Sequence, residues 1–324
     1  MPTSLSFSVV IEWDNARLSD LGRARRMLDE LFAQVDALPA AGNKVFDDAI
    51  VAYDPSRIDE DSMRWIVIEH AGDRHSSRVR FIARPGASGY YALKNLGAAR
   101  AAGDVVVFVD SDVIPTPGWL ASLLAAFDDP RVEVASGGAF VTPEGLYAKS
   151  FALFWFFPLR TNAHGLRKTH HFFANNVAFR RPVAVRYPFP DLPQRRGQCV
   201  ALAAILTADG VGLFRQEDAW VAHPPPNGLW HFCARAITQG HDRLADVRRD
   251  QRGAAPTLRT TYWAYVANLR SALTRITRHF RDVDLGHGGA AFAMLLAILY
   301  YTLMAGGELL TRASPRLVRR HLLV

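Results

Sequence analysis

The chain has 324 residues, 49% hydrophobic and 21% charged, which excludes bulk disorder and leaves room for one large domain, or one domain with an appendage. With 38 Lys and Arg against 31 Asp and Glu, the formal charge is +7, which favours an anionic partner: nucleic acid, acidic lipid or a phosphorylated substrate, among which charge alone does not choose. Cys199 and Cys233 are too few for a disulfide framework and suit a reducing compartment.

The run Phe7 to Ile11 reads as a buried strand and is too short for a signal peptide. Leu18, Leu21, Leu28, Leu31, Phe32 and Val35 then recur at helical spacing. Ala49 to Tyr53 reads as a second strand, closed by the turn Asp54-Pro55-Ser56. Shorter strand candidates follow at Trp65 to Ile68 and at Val79 to Ile82. Tyr90 to Ala102 looks helical, and Gly103-Asp104 breaks it. Val105 to Val109 is the clearest strand, a β-branched run suited to a central position covered on both faces. Gly118 to Phe127 reads as a helix. Strand alternating with helix predicts an α/β, mostly parallel sheet with helices on both faces, with ligands beyond the carboxyl ends of its strands.

The second half is less regular. Phe151 to Pro158 is an aromatic-rich run, a core segment or a surface that dips into lipid. Val200 to Leu206 looks helical, and Arg248 to Pro256 is the best linker candidate. The division expected is a catalytic domain over residues 1–230 and a helical region over 231–324. Gly288 to Gly307 carries no charge and is close to the length that spans a bilayer. Arg275, Arg278 and Arg281 precede it and Arg312, Arg316, Arg319 and Arg320 follow, so the positive-inside rule gives no orientation. Tyr262 to Phe280 mixes Trp, Tyr and Leu with Arg, as interfacial helices do. Nucleic acid is not an expected partner, because the basic residues form no stripe interleaved with stacking aromatics.

The chemistry centres on Asp110-Ser111-Asp112 at the end of the strongest strand. Carboxylate oxygens suit hard cations such as Mg²⁺ or Mn²⁺, which can bridge a diphosphate and offset charge on a departing group. The stretch Tyr90 to Asp112 resembles the "AARNxGxxxAxGdxxxFlDxD" block of glycosyltransferase family 2, with Lys94 where that family usually has Arg. Ser8 to Glu12 resembles its opening strand, and Ile50 to Ser56 its "VVDDGS" element, with Tyr53 and Asp54 at the two acidic positions. Asn175 to Arg181 resembles the segment lining the acceptor side, and Val221 to Pro224 the late strand ending in His.

The resemblance covers roughly residues 5 to 230 and implies a GT-A fold and transfer of a sugar from a nucleotide-sugar. It implies that Glu12 and Asp54 hold the nucleobase and ribose, with Asp110 also on the nucleotide side. Lys94 would face the diphosphate as a point charge, and Asn95 would buttress the nucleotide pocket. Asp110, Asp112 and His223 would hold Mn²⁺ or Mg²⁺, with Asn175, Asn176 and Arg180 on the acceptor side. Inverting members carry a Glu-Asp pair whose Asp is the general base; that pair falls on Gln198-Cys199 here, leaving Asp191 and the Cys199 thiolate as candidate bases. Arg235, Gln239 and Gly240-His241-Asp242 fall where membrane members often place an acceptor-side motif. A lipid or glycan is the expected acceptor, and without a signal-peptide pattern the catalytic part is expected in the cytoplasm, where nucleotide-sugars are made, at the cytoplasmic face of the inner membrane. A non-catalytic nucleotide-sugar binder and a nucleotidyltransferase are the competing readings. The latter class normally opens with a Gly-rich basic loop, which Asp14-Asn15-Ala16-Arg17 is not.

Overall fold

The structure, a computed structural model, describes residues 4–17, 20–38, 43–86, 89–192, 194–250, 257–314 and 316–318. Two compact units are present: Met1–Ala139 with Arg160–Asp191 and Gln198–His223, and Phe140–Leu159 with Leu192–Gly197 and Pro224–Val324.

The first unit is built on a sheet. In chain order it contains β1 (Leu5–Glu12), α1 (Leu21–Asp36), β2 (Lys44–Tyr53), α2 (Glu60–His75), β3 (Val79–Ala83), α3 (Tyr90–Arg100), β4 (Val105–Asp110), β5 (Ile114–Pro115) and α4 (Trp119–Ala125). After β6 (Val134–Val141) the chain passes through α5 (Gly145–Phe154), which belongs to the second unit, and returns for β7 (Leu166–Lys168), β8 (Asn176–Arg180), α6 (Arg181–Arg186), α7 (Gln198–Ala208) and β9 (Leu213–His223). The strand order is β3-β2-β1-β4-β8-β6-β9-β5, with β7 on β9. Pairing is parallel across β3, β2, β1 and β4, and antiparallel from β4 to β8 and from β8 to β6. The sheet is therefore mixed, its parallel half being the one that alternates with helices in the sequence. Every residue of β4 is buried, as its β-branched run requires.

Trp65 to Ile68, expected as a strand, lies inside α2. The Asp59 carboxylate caps that helix by accepting the Ser62 amide. Met63, Ile66, Val67 and Ala71 form its buried stripe at helical spacing, while Trp65 and Ile68 face outward. A four-residue apolar run cannot by itself distinguish the two periods.

The second unit is helical: α5, α8 (Gly228–Asp250), α9 (Leu258–His279) and α10 (His287–Ala313). Phe151, Phe154, Trp155 and Phe157 of the aromatic run lie in its core, while Phe156 is exposed. Phe151 packs edge-on against Phe232 and Tyr300. The Trp155 indole donates to Tyr300 Oη at 3.1 Å, and Arg275 donates to the carbonyls of Ala152, Trp155 and Phe157. Of the expected linker, residues 248–250 lie within α8 and 251–256 lie outside the described residues.

Candidate active site

The carboxyl ends of β1, β2 and β4 meet at one rim. Parallel register sets Glu12 beside Ala52 on one side and Asp110 on the other. Neighbouring strands are about 4.8 Å apart, so two carboxylates stand side by side in a buried place. Lys94 resolves the conflict. It projects from α3, which approaches β1 so closely that a Cβ on Gly97 would lie 2.4 Å from Val10. The Lys94 ammonium, fully buried, pairs with Asp110 Oδ1, and Asn15 Nδ2 donates to Asp110 Oδ2 at 3.1 Å. Burial and the Asp110 charge together push the Glu12 carboxyl well above the usual range, with Lys94 opposing them. Burial likewise raises Asp110, against the pull of Lys94. Glu12 Oε2 accepts the Asp14 amide at 3.1 Å, while Oε1 is buried with no hydrogen-bond donor among the described residues.

This geometry corrects the expectation for Lys94. Its charge is spent on Asp110 and does not face outward to a diphosphate. Asp110 accepts from Lys94 at one oxygen and from Asn15 at the other, and each oxygen keeps a further lone pair.

Asp54 is anchored by its surroundings. Oδ1 accepts the Ser56 amide and hydroxyl at 3.0 and 2.7 Å and the Gly86 amide at 3.3 Å, and Arg57 lies 3.4 Å from Oδ2. Burial alone would raise its pKa; these donors outweigh it and hold the carboxyl below its ordinary value. Arg57 also reaches Asp14 Oδ2 at 3.2 Å, tying the loops after β1 and β2 together.

Arg23 of α1 organises the other side of the rim. Its Nε donates to the Asp112 carbonyl at 2.5 Å and a terminal nitrogen to the Ala222 carbonyl at 2.7 Å. One guanidinium thus fixes the turn carrying Asp112 to the end of β9, whose last residue is His223. Pairing of Ile114 with Ala222 supports the same approach. His223 lies near enough to Asp110 to oppose, weakly, the rise that burial causes there. Among the described residues no three His, Cys, Asp or Glu side chains form a ready-made metal cluster. Sequence reasoning missed Arg23; the available signal was its place, with Gln34, on the helical arc of Met27 and Leu31.

The expected acceptor-side residues separate. Antiparallel register places Asn176 beside Val109 and Arg180 beside Val105. Arg180 is therefore five residues, roughly 16 Å, from the level of Asp110 at the rim. There it donates to the carbonyls of Val132, Phe127 and Asp129, a bracing role. Asn176 is fully buried; it donates to the Gly138 and Ala219 carbonyls and accepts the Trp119 indole, stitching β6, β8 and β9 to α4. Neither presents a polar group to an acceptor. Asn175, one residue nearer the rim, is buried, and its Oδ1 has no hydrogen-bond donor among the described residues.

Asn95 grips the backbone of Phe189 from both sides, donating to its carbonyl and accepting its amide at 2.8 Å each. It therefore holds the loop that carries the exposed Asp191, two residues on. Cys199 packs against the core beside Tyr91, and burial pushes its thiol up, away from the thiolate a base would need. In the second unit, Gln239 accepts the Tyr300 hydroxyl and His241 meets Thr311 at 3.1 Å, so both serve that unit's interior rather than an acceptor.

A sheet with this order, acidic at the carboxyl ends of β1, β2 and β4, is a GT-A fold. The chain belongs to glycosyl transferase family 2, whose model matches residues 25–187. The pre-mycofactocin glycosyltransferase of Mycobacterium tuberculosis is 41% identical over 58 residues, 18% of this chain and 12% of that relative. The match thus spans about an eighth of the curated relative's length. Among solved structures, the mannosyltransferase PcManGT from Pyrobaculum calidifontis, in complex with GDP-Man and Mn²⁺, superposes with a TM-score of 0.59 at 16% identity, over 98% of this chain and 90% of that one. TarS residues 1–349 from S. aureus, in complex with UDP-GlcNAc, superposes at 0.52 with 12% identity, over 95% and 92%. These likenesses concern the fold.

Proposed function

We propose that this chain moves a sugar from a nucleoside-diphosphate donor to a hydroxyl acceptor, a lipid or glycan at a membrane, with Mn²⁺ or Mg²⁺ accompanying the donor. The observation that carries the reading is the Arg23 clamp, which ties the backbone of Asp112 to that of Ala222, one residue before His223, at the rim that also carries Asp110. Small hard cations are bound by one or two carboxylates plus substrate phosphates, keeping several waters. A site offering Asp112 and His223, with no three-ligand cluster, fits an ion completed by a diphosphate. The neighbours' GDP-Man with Mn²⁺ and UDP-GlcNAc support the same donor class.

When bound, such an ion offsets charge on the departing nucleoside diphosphate. The chain's own residues do the rest. Lys94 neutralises Asp110 and fixes it on the floor, and Glu12 and Asp54 form the nucleoside end of the rim. Asn95 positions the loop from which Asp191 takes the acceptor hydroxyl proton, as a direct, inverting displacement requires. The 27-residue, largely apolar α10 supports attachment to a membrane, which we place at the cytoplasmic face, where a nucleotide-sugar donor would be met.

A second reading, a non-catalytic nucleotide-sugar binder, draws on Gln198 and the partly buried Cys199, whose thiol is pushed up, at the family's base position. Incubating the purified chain with a panel of nucleotide-sugars and Mn²⁺ tests both. Release of nucleoside diphosphate from one donor, with an anomerically inverted product, is the expected result. Binding without release from any donor favours the second reading.

A further inference from the structure

The outward surface of α10 is unlike that of a helix on a water-facing bundle. Ala290, Ala293, Ala297, Tyr300, Met304, Gly307, Glu308 and Thr311 are its buried stripe, spaced by threes and fours. The opposite stripe should then be polar. Instead it is Phe292, Leu295, Ile298, Leu299 and Leu309, all exposed, with no charge from His287 to Gly307 apart from any carried by His287 itself. Beside it, α9 exposes Leu258, Tyr262 and Trp263 together with Arg259, Arg270 and Arg278, and its sequence contains no Asp or Glu. A cationic, aromatic helix lies next to an apolar one in the same unit.

We propose that this α9–α10 face docks in the plane of an anionic phospholipid surface, with α10 lying in the interface rather than crossing the bilayer. The inference deepens the membrane attachment proposed above and rests on it. At about 1.5 Å per residue, α10 is long enough to cross a hydrocarbon core of roughly 30 Å. Its inner stripe, however, is committed to protein. A Cβ on Gly307 would lie 2.2 Å from the Ile237 carbonyl, and one on Gly240 would lie 2.0 Å from that of Met304, so α8 and α10 touch backbone to backbone. Glu308 is buried between Arg243 and Thr261, and Arg312 donates to Thr261 Oγ1 at 2.9 Å. Crossing would drag α8 and α9, with their arginines, into hydrocarbon, where each arginine is costly. In-plane docking avoids that. The leucines and Phe292 enter the acyl boundary, Tyr262 and Trp263 sit at headgroup level, and the α9 arginines meet lipid phosphates.

The test uses the full chain and needs no turnover, so its failure is separable from failure of the transferase reading. The chain should sediment with vesicles of phosphatidylcholine containing phosphatidylglycerol, and far less with phosphatidylcholine alone. Arg270→Glu with Arg278→Glu should weaken binding by at least about thirtyfold, at roughly 1 kcal/mol per arginine lost. Leu295→Glu with Leu299→Glu should also abolish it, with circular dichroism and thermal unfolding near those of the parent because both sites are exposed. In sealed inverted membrane vesicles from expressing cells, an impermeant maleimide should label both Gly288→Cys and Ala313→Cys, read peptide by peptide. Labelling of only one end means that α10 crosses, which overturns in-plane docking but keeps the membrane attachment. No sedimentation with either lipid, or a lipid-free dimer that masks the face, overturns both.

Discussion

The Lys94 ammonium and the Asp110 carboxylate form a buried ion pair beneath the rim, and Glu12 lies across the strand boundary from the same carboxylate. One cation thus serves a floor that would otherwise hold adjacent buried acids. Removing one partner of such a pair strands the other. Lys94→Met should therefore destabilise the fold by about 3–5 kcal/mol in denaturant unfolding. Adding Asp110→Asn should recover much of that loss. A Lys94→Met protein of parental stability would show that the floor acids are neutralised some other way.

Arg23 makes no expected ligand contact, yet it fixes Asp112 to Ala222. Groups that orient a site typically matter 10- to 100-fold in metal affinity or activity. Arg23→Met should lower Mn²⁺-dependent nucleoside diphosphate affinity by about that factor, with the fold retained. Titration calorimetry checks it, and an unchanged affinity would show that Arg23 does not order the site.

The base assignment separates two residues. Burial disfavours the Cys199 thiolate, whereas Asp191 is exposed on a loop held by Asn95. Asp191→Asn should cut turnover by about 10²-fold or more with nucleotide affinity nearly intact, and Cys199→Ala should change it only a few-fold. Steady-state kinetics on the two variants decides; the reverse ranking would return the thiol to consideration.

Much of the parallel half was legible because its strands are short apolar runs ending in acids, as at Val105 to Asp110 and Ile50 to Asp54. The antiparallel register was not legible. Nothing local in Asn175 to Arg180 tells that Asn176 stitches strands together or that Arg180 points its chemistry to the far edge. Lys94 was found in sequence but its partner was not, since pairing across 16 residues depends on how α3 leans on β1. Arg23 reads as a solvated helical arginine unless its position on a buried arc is weighed.

Asp242 in α8 supplies a pH test. Burial pushes its carboxyl up to about 7, with Arg196 opposing and the Arg195 amide donating to it at 3.2 Å. The unfolded value is about 3.9. A carboxyl raised on folding adds stability that is complete below the unfolded value and lost as pH rises through the folded one. Between pH 4 and 7 the parent should therefore lose stability relative to Asp242→Asn, by on the order of 2–4 kcal/mol. Parallel thermal-unfolding profiles of the two proteins would contradict this.

On the proposed function, the rim takes a nucleoside diphosphate together with a divalent cation through Asp112 and His223. Titration calorimetry of the parent and of Asp112→Ala with UDP and with GDP, each with and without Mn²⁺, tests it most directly. The expected result is binding of one nucleotide that is strongly enhanced by Mn²⁺ in the parent, with that enhancement lost in Asp112→Ala. Equal affinity with and without the metal in the parent, or an undiminished metal effect in the variant, would contradict it.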